Sequence, residues 1–275
     1  MTTRLFAFQK LNNFSVYTLG GHTDEIVSVF FETASLTAYT TSRNGHLAVW
    51  ECSTEQEELV KWDGTKKVGG GKKKKKKKRE EDEESEDDLA EENDEKELEH
   101  LTQEASEDDQ AVNFYYKRAA RHFLKDHLPE EAKRSDLTAA DYHSKSKILV
   151  TTFSSGAFFI LEMPDCNLIH SLSISDRQIS TVRINPTGDW IAFGCQDLGQ
   201  LLVWEWQSET FVLKQQGHFN NMACVGYSPD GQYIGTGGED GKVKIWSTTS
   251  GFSFVTFNEH TSKVSGITFT SNAKV

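Results

Sequence analysis

The 275-residue sequence has little proline, little cysteine and no long apolar run, with only four residues of each of the first two types. No stretch approaches the roughly 20 apolar residues that span a bilayer, and Met1 to Phe6 lacks the apolar core of a signal peptide. The cysteines form no Cys-x-x-Cys pair, which argues against a disulfide framework or a zinc site: they are Cys52, Cys166, Cys195 and Cys224. We therefore expect a soluble intracellular protein with buried free thiols, no metal, no cofactor and no membrane contact.

Motifs that carry catalysis are also missing from the sequence. There is no Gly-x-Gly-x-x-Gly, no Walker phosphate loop, no Gly-x-Ser-x-Gly and no His-Glu-x-x-His. The glycine-rich stretch Gly235 to Gly238 leads into a predicted strand, whereas a phosphate loop needs a helix there. The sequence thus predicts no catalytic, cofactor-binding or metal site, and it indicates a binding scaffold, not an enzyme.

The formal net charge of −12 is concentrated in one segment. Lys72 to Arg79 contributes +8, and Glu80 to Asp109 contains 18 acidic residues and one lysine. Such a composition buries too little apolar surface to offset the entropy of ordering the chain. We expect residues 51–112 to be a disordered, charged insert in a nearly neutral folded protein.

Short β-prone runs that end in tryptophan recur along the rest of the chain. They end at Trp50, Trp204 and Trp246, the last two 42 residues apart, and Leu161 fills the same slot 43 residues before Trp204. A second marker fits the same register, because Gly-His pairs place a histidine 28 residues before Trp50 and Trp246. A period of about 40 to 45 residues with these markers is typical of a four-stranded propeller blade.

These repeats resemble the WD-repeat family. That resemblance implies a hydrogen-bonded relay of histidine, threonine, aspartate and tryptophan within a blade. By position the relay comprises His218, Thr236, Asp240 and Trp246 in the best copy, and His22, Thr40, Asn44 and Trp50 in the first copy. Asn44 replaces the aspartate, and the two middle copies lack Gly-His, so we expect apolar packing to hold those blades.

The predicted fold is all-β: a partial WD-repeat β-propeller of about four blades, open at both ends, with the charged insert. Residues 1–50 comprise the end of one blade and one repeat, residues 51–112 the insert between the first and second blades, and residues 136–275 further blades, the last truncated. Residues 113–128 read as a short helix, which either packs on the propeller rim or is free to bind a partner. The unfinished repeats at both ends indicate a fragment of a longer protein.

Two features of the insert carry functional hypotheses. The basic tract is a solvated run, a nuclear localisation signal or an RNA-phosphate contact, and we rank import above RNA contact because the adjacent acidic run would compete. Ser85 and Ser106 each precede Glu-Asp-Asp, which suits acidophilic kinases, although unmodified serines in a spacer fit equally. The tract consists of Lys72, Lys73, Lys74, Lys75, Lys76, Lys77, Lys78 and Arg79.

A more specific resemblance covers Asn167 to Phe269. It rests on Asn167 to Ser175, Gly188 to Glu209, Val212 to Phe219 and Tyr227 to Ile234, which are similar to a WD-repeat family of nucleolar scaffold proteins. The family implies assembly of the small-subunit processome for 18S pre-rRNA processing. Its implied partners are other WD-repeat scaffold proteins, a box C/D small nucleolar RNP and pre-rRNA, contacted directly or indirectly. The alternative is a propeller adaptor that recognises a modified peptide, such as a substrate-recruiting subunit of a ubiquitin ligase.

Overall fold

The computed structural model describes residues 1–7, 16–33, 35–55, 59, 115–174 and 176–271. The basic tract, Ser85 and Ser106 lie outside the described residues, as does most of the predicted insert. Within the described part of the chain, no helix is long and apolar enough to span a bilayer.

Four antiparallel sheets of four strands follow one another along the chain, and each pairs consecutive strands. Blade 1 is β3 (Ile26–Phe31), β4 (Ala38–Ser42), β5 (His46–Cys52) and β6 (Tyr116–Phe123). Blade 2 is β7 (Leu137–His143), β8 (Ile148–Phe153), β9 (Ala157–Glu162) and β10 (Asn167–Ser173). Blade 3 is β11 (Ile179–Ile184), β12 (Trp190–Cys195), β13 (Gln200–Glu205) and β14 (Thr210–Gln216). Blade 4 is β15 (Met222–Tyr227), β16 (Tyr233–Gly238), β17 (Val243–Ser247) and β18 (Ser253–Phe257).

Before blade 1, β1 (Thr3–Leu5) pairs with β2 (Tyr17–Leu19) in a two-stranded sheet. Two 3-10 turns, Leu124–His127 and Glu130–Ala132, connect blade 1 to blade 2. The strands that end in the repeated tryptophans are the third strands of their blades, and Leu161 occupies the same place in β9.

The core lies between neighbouring blades. The middle strands of a blade are buried on both faces, as in β8, which explains why they do not alternate between apolar and charged residues. One cluster joins blades 2 and 3 through Phe158, Ile160, Phe193 and Trp204, and similar clusters join blades 1 and 2 and blades 3 and 4. The innermost strands β3, β7, β11 and β15 contact one another in that order. The predicted all-β propeller architecture with about four blades is therefore confirmed.

The helix predicted for residues 113–128 is wrong. Tyr116–Phe123 forms β6, which pairs with β5 through Tyr116 opposite Cys52 and Arg118 opposite Trp50. Exposure alternates along this strand, with a period of two that marks a half-buried β-strand. The apolar and aromatic residues at mixed spacings were misread as a helical face. The insert consequently lies between the third and fourth strands of blade 1, not between two blades.

Candidate interaction face

The sequence-predicted relay residues of blade 4 meet in the structure. Trp246 Nε1 donates to Thr236 Oγ1 at 2.9 Å, and Thr236 Oγ1 lies 2.8 Å from His218 Nε2. His218 Nδ1 lies 3.0 Å from Asp240 Oδ1. All groups are satisfied when Thr236 donates to Nε2 and a neutral His218 donates from Nδ1. Strands β16 and β17 and the loop before β15 are thereby tied together.

Asp240 ends this relay and organises the turn around it. Its carboxylate also accepts the backbone N–H groups of Phe219 at 3.2 Å and Lys242 at 3.1 Å. Burial alone would raise the pKa of Asp240, but these donors and His218 lower it below its usual value. Asp240 is therefore an ionised acceptor that fixes the loop carrying Phe219.

Blade 1 contains the same relay with one additional member. His22 Nε2 lies 2.7 Å from Thr40 Oγ1, which accepts from Trp50 Nε1 at 2.9 Å. His22 Nδ1 reaches Ser42 Oγ at 2.9 Å, and Ser42 donates to Asn44 Oδ1 at 2.7 Å. Ser42 was not among the predicted relay residues. Its hydroxyl connects His22 to Asn44, where blade 4 has a direct contact between histidine and aspartate.

Blade 2 lacks a relay, and a buried hydroxyl shows where it would have been. Thr151 pairs with Ala140 in the register in which Thr236 pairs with Val225. Its Oγ1 is buried and has no hydrogen-bond partner among the described residues. Leu161 occupies the tryptophan position and is fully buried. Thr151 thus occupies the position of the relay threonine but makes none of the relay hydrogen bonds among the described residues, and apolar side chains pack around it.

Acid is expected to destabilise blade 1 through His22. Burial, then the nearby His46 and the cations of Arg121, the N-terminus and Arg118, lower the pKa of His22 to about 4. The unfolded imidazole titrates near pH 6.5, so between about pH 6.5 and 4 the unfolded chain binds the extra proton. The free energy of unfolding should therefore fall as pH falls through that window, by up to about 1.4 kcal/mol per unit from this group.

Urea unfolding at pH 7 and pH 5 measures this effect, with His22→Gln as the comparison. The variant should be less stable at pH 7 and show a shallower loss on acidification. His218, whose pKa is also lowered by burial, should keep part of the slope in both proteins. Equal slopes for the two proteins would show that His22 is not the group being protonated.

Hydroxyl groups also tie one blade to the next. Thr138, the second residue of β7, donates to the carbonyl of Ile179, the first residue of β11, at 2.6 Å. Ser180 repeats the contact one blade later by donating to the carbonyl of Met222. These bonds cross between innermost strands, so neighbouring blades are fixed in position as well as packed.

We define the turn face as the end of the blades where the innermost strands begin and the turns between second and third strands lie. A backbone hydrogen bond of 2.8 to 3.0 Å recurs there in every blade. It runs from the turn to the residue just before the innermost strand: Arg43 to Glu25, Ser154 to Asp136, Gln196 to Gln178, and Glu239 to Asn221. The turn face is thus built on a repeated, rigid backbone framework.

Two shallow depressions of about 300 and 360 Å³ open on the turn face. Their charged residues are mostly paired, as in Arg43 with Asp136 at 3.0 Å and Lys263 with Glu239 at 3.3 Å. Of the described residues that line them, none is histidine or cysteine. No three His, Cys, Asp or Glu side chains within the described ranges are grouped to hold a metal ion. These depressions are suited to contact with another molecule.

Phe219 stands out on the turn face. Its side chain is 84% exposed, although its backbone is fixed by Asp240. Leu198, 36% exposed, lies in the blade 3 turn, where the carbonyls of His218 and Asn220 leave no room for a Cβ on Gly199. Phe219 is thus an exposed aromatic side chain on a fixed backbone, which is a candidate anchor for a protein interface.

Sequence reasoning missed Phe219, although a signal was present. In blade 1 the residue after the Gly-His pair is Thr23, whose hydroxyl accepts from Asn44 at 2.9 Å. Blade 4 has phenylalanine at this position, where the side chain has no buried environment to enter. A large apolar residue at a solvated turn position indicates an interaction site, which the repeat pattern itself does not.

Comparison with known proteins agrees with this architecture. A family model described as WD domain, G-beta repeat matches residues 209–247. The chain is 49% identical over 260 residues to the Periodic tryptophan protein 2 homolog of Mus musculus, covering 94% of this chain and 27% of that protein. It is 34% identical over 245 residues to Periodic tryptophan protein 2 of Saccharomyces cerevisiae, covering 89% and 22%. The Arabidopsis thaliana protein of that name is 36% identical over 279 residues, covering 98% and 31%.

These comparisons confirm the predicted resemblance to the WD-repeat family and give its more specific part a name. The chain spans less than a third of the length of these three curated relatives.

Proposed function

Because the chain is similar along almost its whole length to proteins named periodic tryptophan protein 2, we propose that it belongs to a non-enzymatic WD-repeat scaffold of ribosome biogenesis. The scaffold assembles the small-subunit processome for 18S pre-rRNA processing in the nucleolus. Its partners are other WD-repeat scaffold proteins, a box C/D small nucleolar RNP and pre-rRNA, contacted directly or indirectly. The observation that carries the proposal is 49% identity over 94% of the chain.

The structure supports a scaffold through the rigidity of its blades. The relays of blades 1 and 4 and the contacts between innermost strands fix the turn face in one geometry. The backbone of Phe219 is therefore already ordered before a partner binds, which lowers the entropy cost of binding. The described part of the turn face thus offers a surface for contact and an exposed aromatic side chain, Phe219, which a protein that assembles other proteins requires.

The alternative adaptor function calls for unpaired basic residues around the central opening. On the turn face Arg43 is paired with Glu25 and Asp136, and Lys263 is paired with Glu239. The residues just before the innermost strands are acidic or neutral, as in Glu25, Asp136 and Gln178. This surface suits a phosphorylated or acidic peptide poorly, so the scaffold is the better supported function.

Depletion of the full-length protein in cells tests the proposal. The scaffold function requires that 18S rRNA falls and its precursors accumulate, while the large-subunit rRNA is maintained. Quantification of precursor and mature rRNA species measures both. Unchanged 18S processing together with stabilisation of specific cellular proteins would instead identify an adaptor of a ubiquitin ligase.

Phe219→Ser should weaken the interaction of the full-length protein with pre-ribosomal particles about 30-fold, because a central aromatic anchor contributes about 2 kcal/mol or more. Sedimentation of the tagged protein with those particles measures the loss. Phe252→Ser is the matched control, since Phe252 is 68% exposed on the same blade but follows the turn between β17 and β18, at the opposite end. Equal losses from both changes would show that the turn face has no special role.

A further inference from the structure

Two arginines on one face of β6 have no acidic partner in the described part of the chain. Arg118 lies opposite Trp50 and Arg121 lies opposite Ala48, so both side chains project from the same face of the strand. Neither forms an ion pair with a carboxylate of the described residues. We call them the blade 1 arginine pair, and their positions lie about 7 Å apart along the strand.

Neighbouring groups pack against both guanidinium groups. Arg118 Nη1 lies 2.7 Å from the position that a Cβ of Gly21 would take, so the guanidinium packs directly on this glycine. Arg121 Nη2 donates to His46 Nδ1 at 2.8 Å, and its guanidinium lies 5.0 Å from the centre of the Phe123 ring. The arginine pair is therefore partly ordered before a ligand binds.

The electrostatic potential at this corner of blade 1 is positive. Burial is the main cause that lowers the pKa of His22 to about 4, and the neighbours that add to it are His46, Arg121, the N-terminus and Arg118. None of these neighbours is a carboxylate. Two guanidinium charges that no carboxylate offsets favour an anionic ligand.

The arginine pair is a feature of blade 1 and not of the blade architecture. The other three described blades have no arginine at the two equivalent positions, which lie opposite the tryptophan slot and opposite the residue two before it. Those positions hold Leu168 and Ser171 in blade 2, Phe211 and Lys214 in blade 3, and Ser253 and Thr256 in blade 4. A blade therefore folds without such a pair, which points to a role in binding.

Strand β6 also offers a free edge. It is the last strand of its sheet and, within the described ranges, pairs with β5 only. Alternate backbone N–H and C=O groups of an edge strand point away from the sheet and can pair with an extended peptide. Phe123, 46% exposed, contacts the His46 ring with 4.3 Å between the ring centres and adds apolar surface beside the arginine pair.

We propose that the blade 1 arginine pair binds the phosphate of a phosphorylated serine or threonine in a partner protein, whose extended segment adds a strand to the free edge of β6. A phosphate monoester carries about −1.5 to −2 charges at pH 7, which two guanidinium groups match. Each guanidinium can donate two parallel hydrogen bonds to phosphate oxygens. A side chain on the same face of the added strand would lie about 5 Å from its neighbour on β6, within reach of either arginine.

His46 supplies a further donor to this site. Its Nδ1 accepts from Arg121, so the ring proton of the neutral imidazole is on Nε2. Burial, then Arg121 and Lys125, lower the pKa of His46, which keeps the ring neutral at pH 7. The imidazole can therefore donate to the phosphate without adding a charge that would repel the arginines.

RNA phosphates could use the same cations, but this surface suits RNA less well. Affinity for nucleic acid accumulates over several phosphate contacts, whereas this face of β6 presents two arginines. Lys117 lies opposite Glu51 and projects from the other face of the strand. Backbone pairing along the free edge of β6 suits an extended peptide and has no counterpart in RNA.

Peptide titration of the intact chain tests the proposal. The probe is a fluorescent peptide of alternating valine and glutamine with one central phosphoserine, and the same peptide with serine is the reference. Anisotropy at physiological salt should show at least about tenfold tighter binding of the phosphorylated form. Arg118→Gln with Arg121→Gln should remove this difference. Lys242→Gln with Lys244→Gln on blade 4, which changes the net charge equally, should keep it.

Hydrogen exchange of the intact chain keeps the test valid if the arginine variant fails to fold. The phosphorylated peptide should slow exchange in Tyr116–Phe123 at least about fivefold and leave Ser253–Phe257, the uncharged edge strand of blade 4, unchanged. Equal affinity for the two peptides, or protection confined to another strand or to the turn face, would overturn the proposal. It would also be overturned by an oligouridine RNA that binds through the two arginines more tightly than the phosphorylated peptide does. None of these outcomes bears on the role in ribosome biogenesis.

Discussion

Thr236→Val is expected to lower the free energy of unfolding by about 2 to 4 kcal/mol. The hydroxyl of Thr236 bonds both Trp246 Nε1 and His218 Nε2, and all three groups are buried. Valine has the same shape but leaves both nitrogens without a partner, at about 1 to 3 kcal/mol for each buried group. Urea unfolding of the intact chain measures the loss.

Thr151→Val is the matched control, because it makes the same change at the same position of blade 2. Thr151 Oγ1 is already buried without a hydrogen-bond partner among the described residues. Removing this hydroxyl leaves no other group without a hydrogen-bond partner, and it removes the cost of burying a hydroxyl. The free energy of unfolding should therefore stay the same or rise by about 1 kcal/mol. Similar losses from the two variants would mean that the relay of blade 4 contributes nothing beyond packing.

Gly199→Ala should destabilise the protein by at least about 3 kcal/mol, since its cost combines a strained backbone with a steric clash. Gly199 has φ +56°, a region that alanine adopts at a cost. A Cβ there would lie 2.2 Å from the carbonyl oxygen of His218 and 2.4 Å from that of Asn220. Both atoms are backbone, so the loop that carries Phe219 would have to move.

Gly45→Ala separates the two contributions, because Gly45 occupies the same turn in blade 1. Its φ is +85°, but a Cβ there would meet only the flexible side chain of Lys125, at 2.7 Å from Cγ. Its cost should be limited to about 1 to 2 kcal/mol of backbone strain. Thermal unfolding of both variants gives the comparison, and a Gly45→Ala loss as large as that of Gly199→Ala would refute the clash with the Phe219 loop.

The repeat architecture could be predicted because blades impose fixed spacings. The resemblance to the WD-repeat family implied Thr236 and His218 as partners of Trp246, and the need of a buried tryptophan N–H for an acceptor on the neighbouring strand gives the physical reason. The repeat spacing alone located Leu161 in the tryptophan position of blade 2. Residues that are buried at equivalent positions of each blade recur at fixed spacings in the sequence. Those spacings also predict where the third strand of each blade lies.

Features set by a single blade could not be predicted in this way. Strand β6 follows the insert after a gap that no repeat period spans, so its aromatic residues were read as a helix. Ser42 joins the relay of blade 1 because its hydroxyl lies within hydrogen-bond distance of both His22 and Asn44, which the repeat spacing does not reveal. Phe219 is exposed, and exposed positions carry no periodic constraint.

The central claim is that this chain is part of a scaffold of the small-subunit processome, and affinity capture of the full-length protein tests it most directly. The captured material is analysed for RNA by sequencing and for protein by mass spectrometry. The account requires 18S precursor rRNA, box C/D small nucleolar RNA and other WD-repeat proteins in the wild-type capture, all reduced by Phe219→Ser. Recovery of ubiquitin-ligase subunits without precursor rRNA would contradict it.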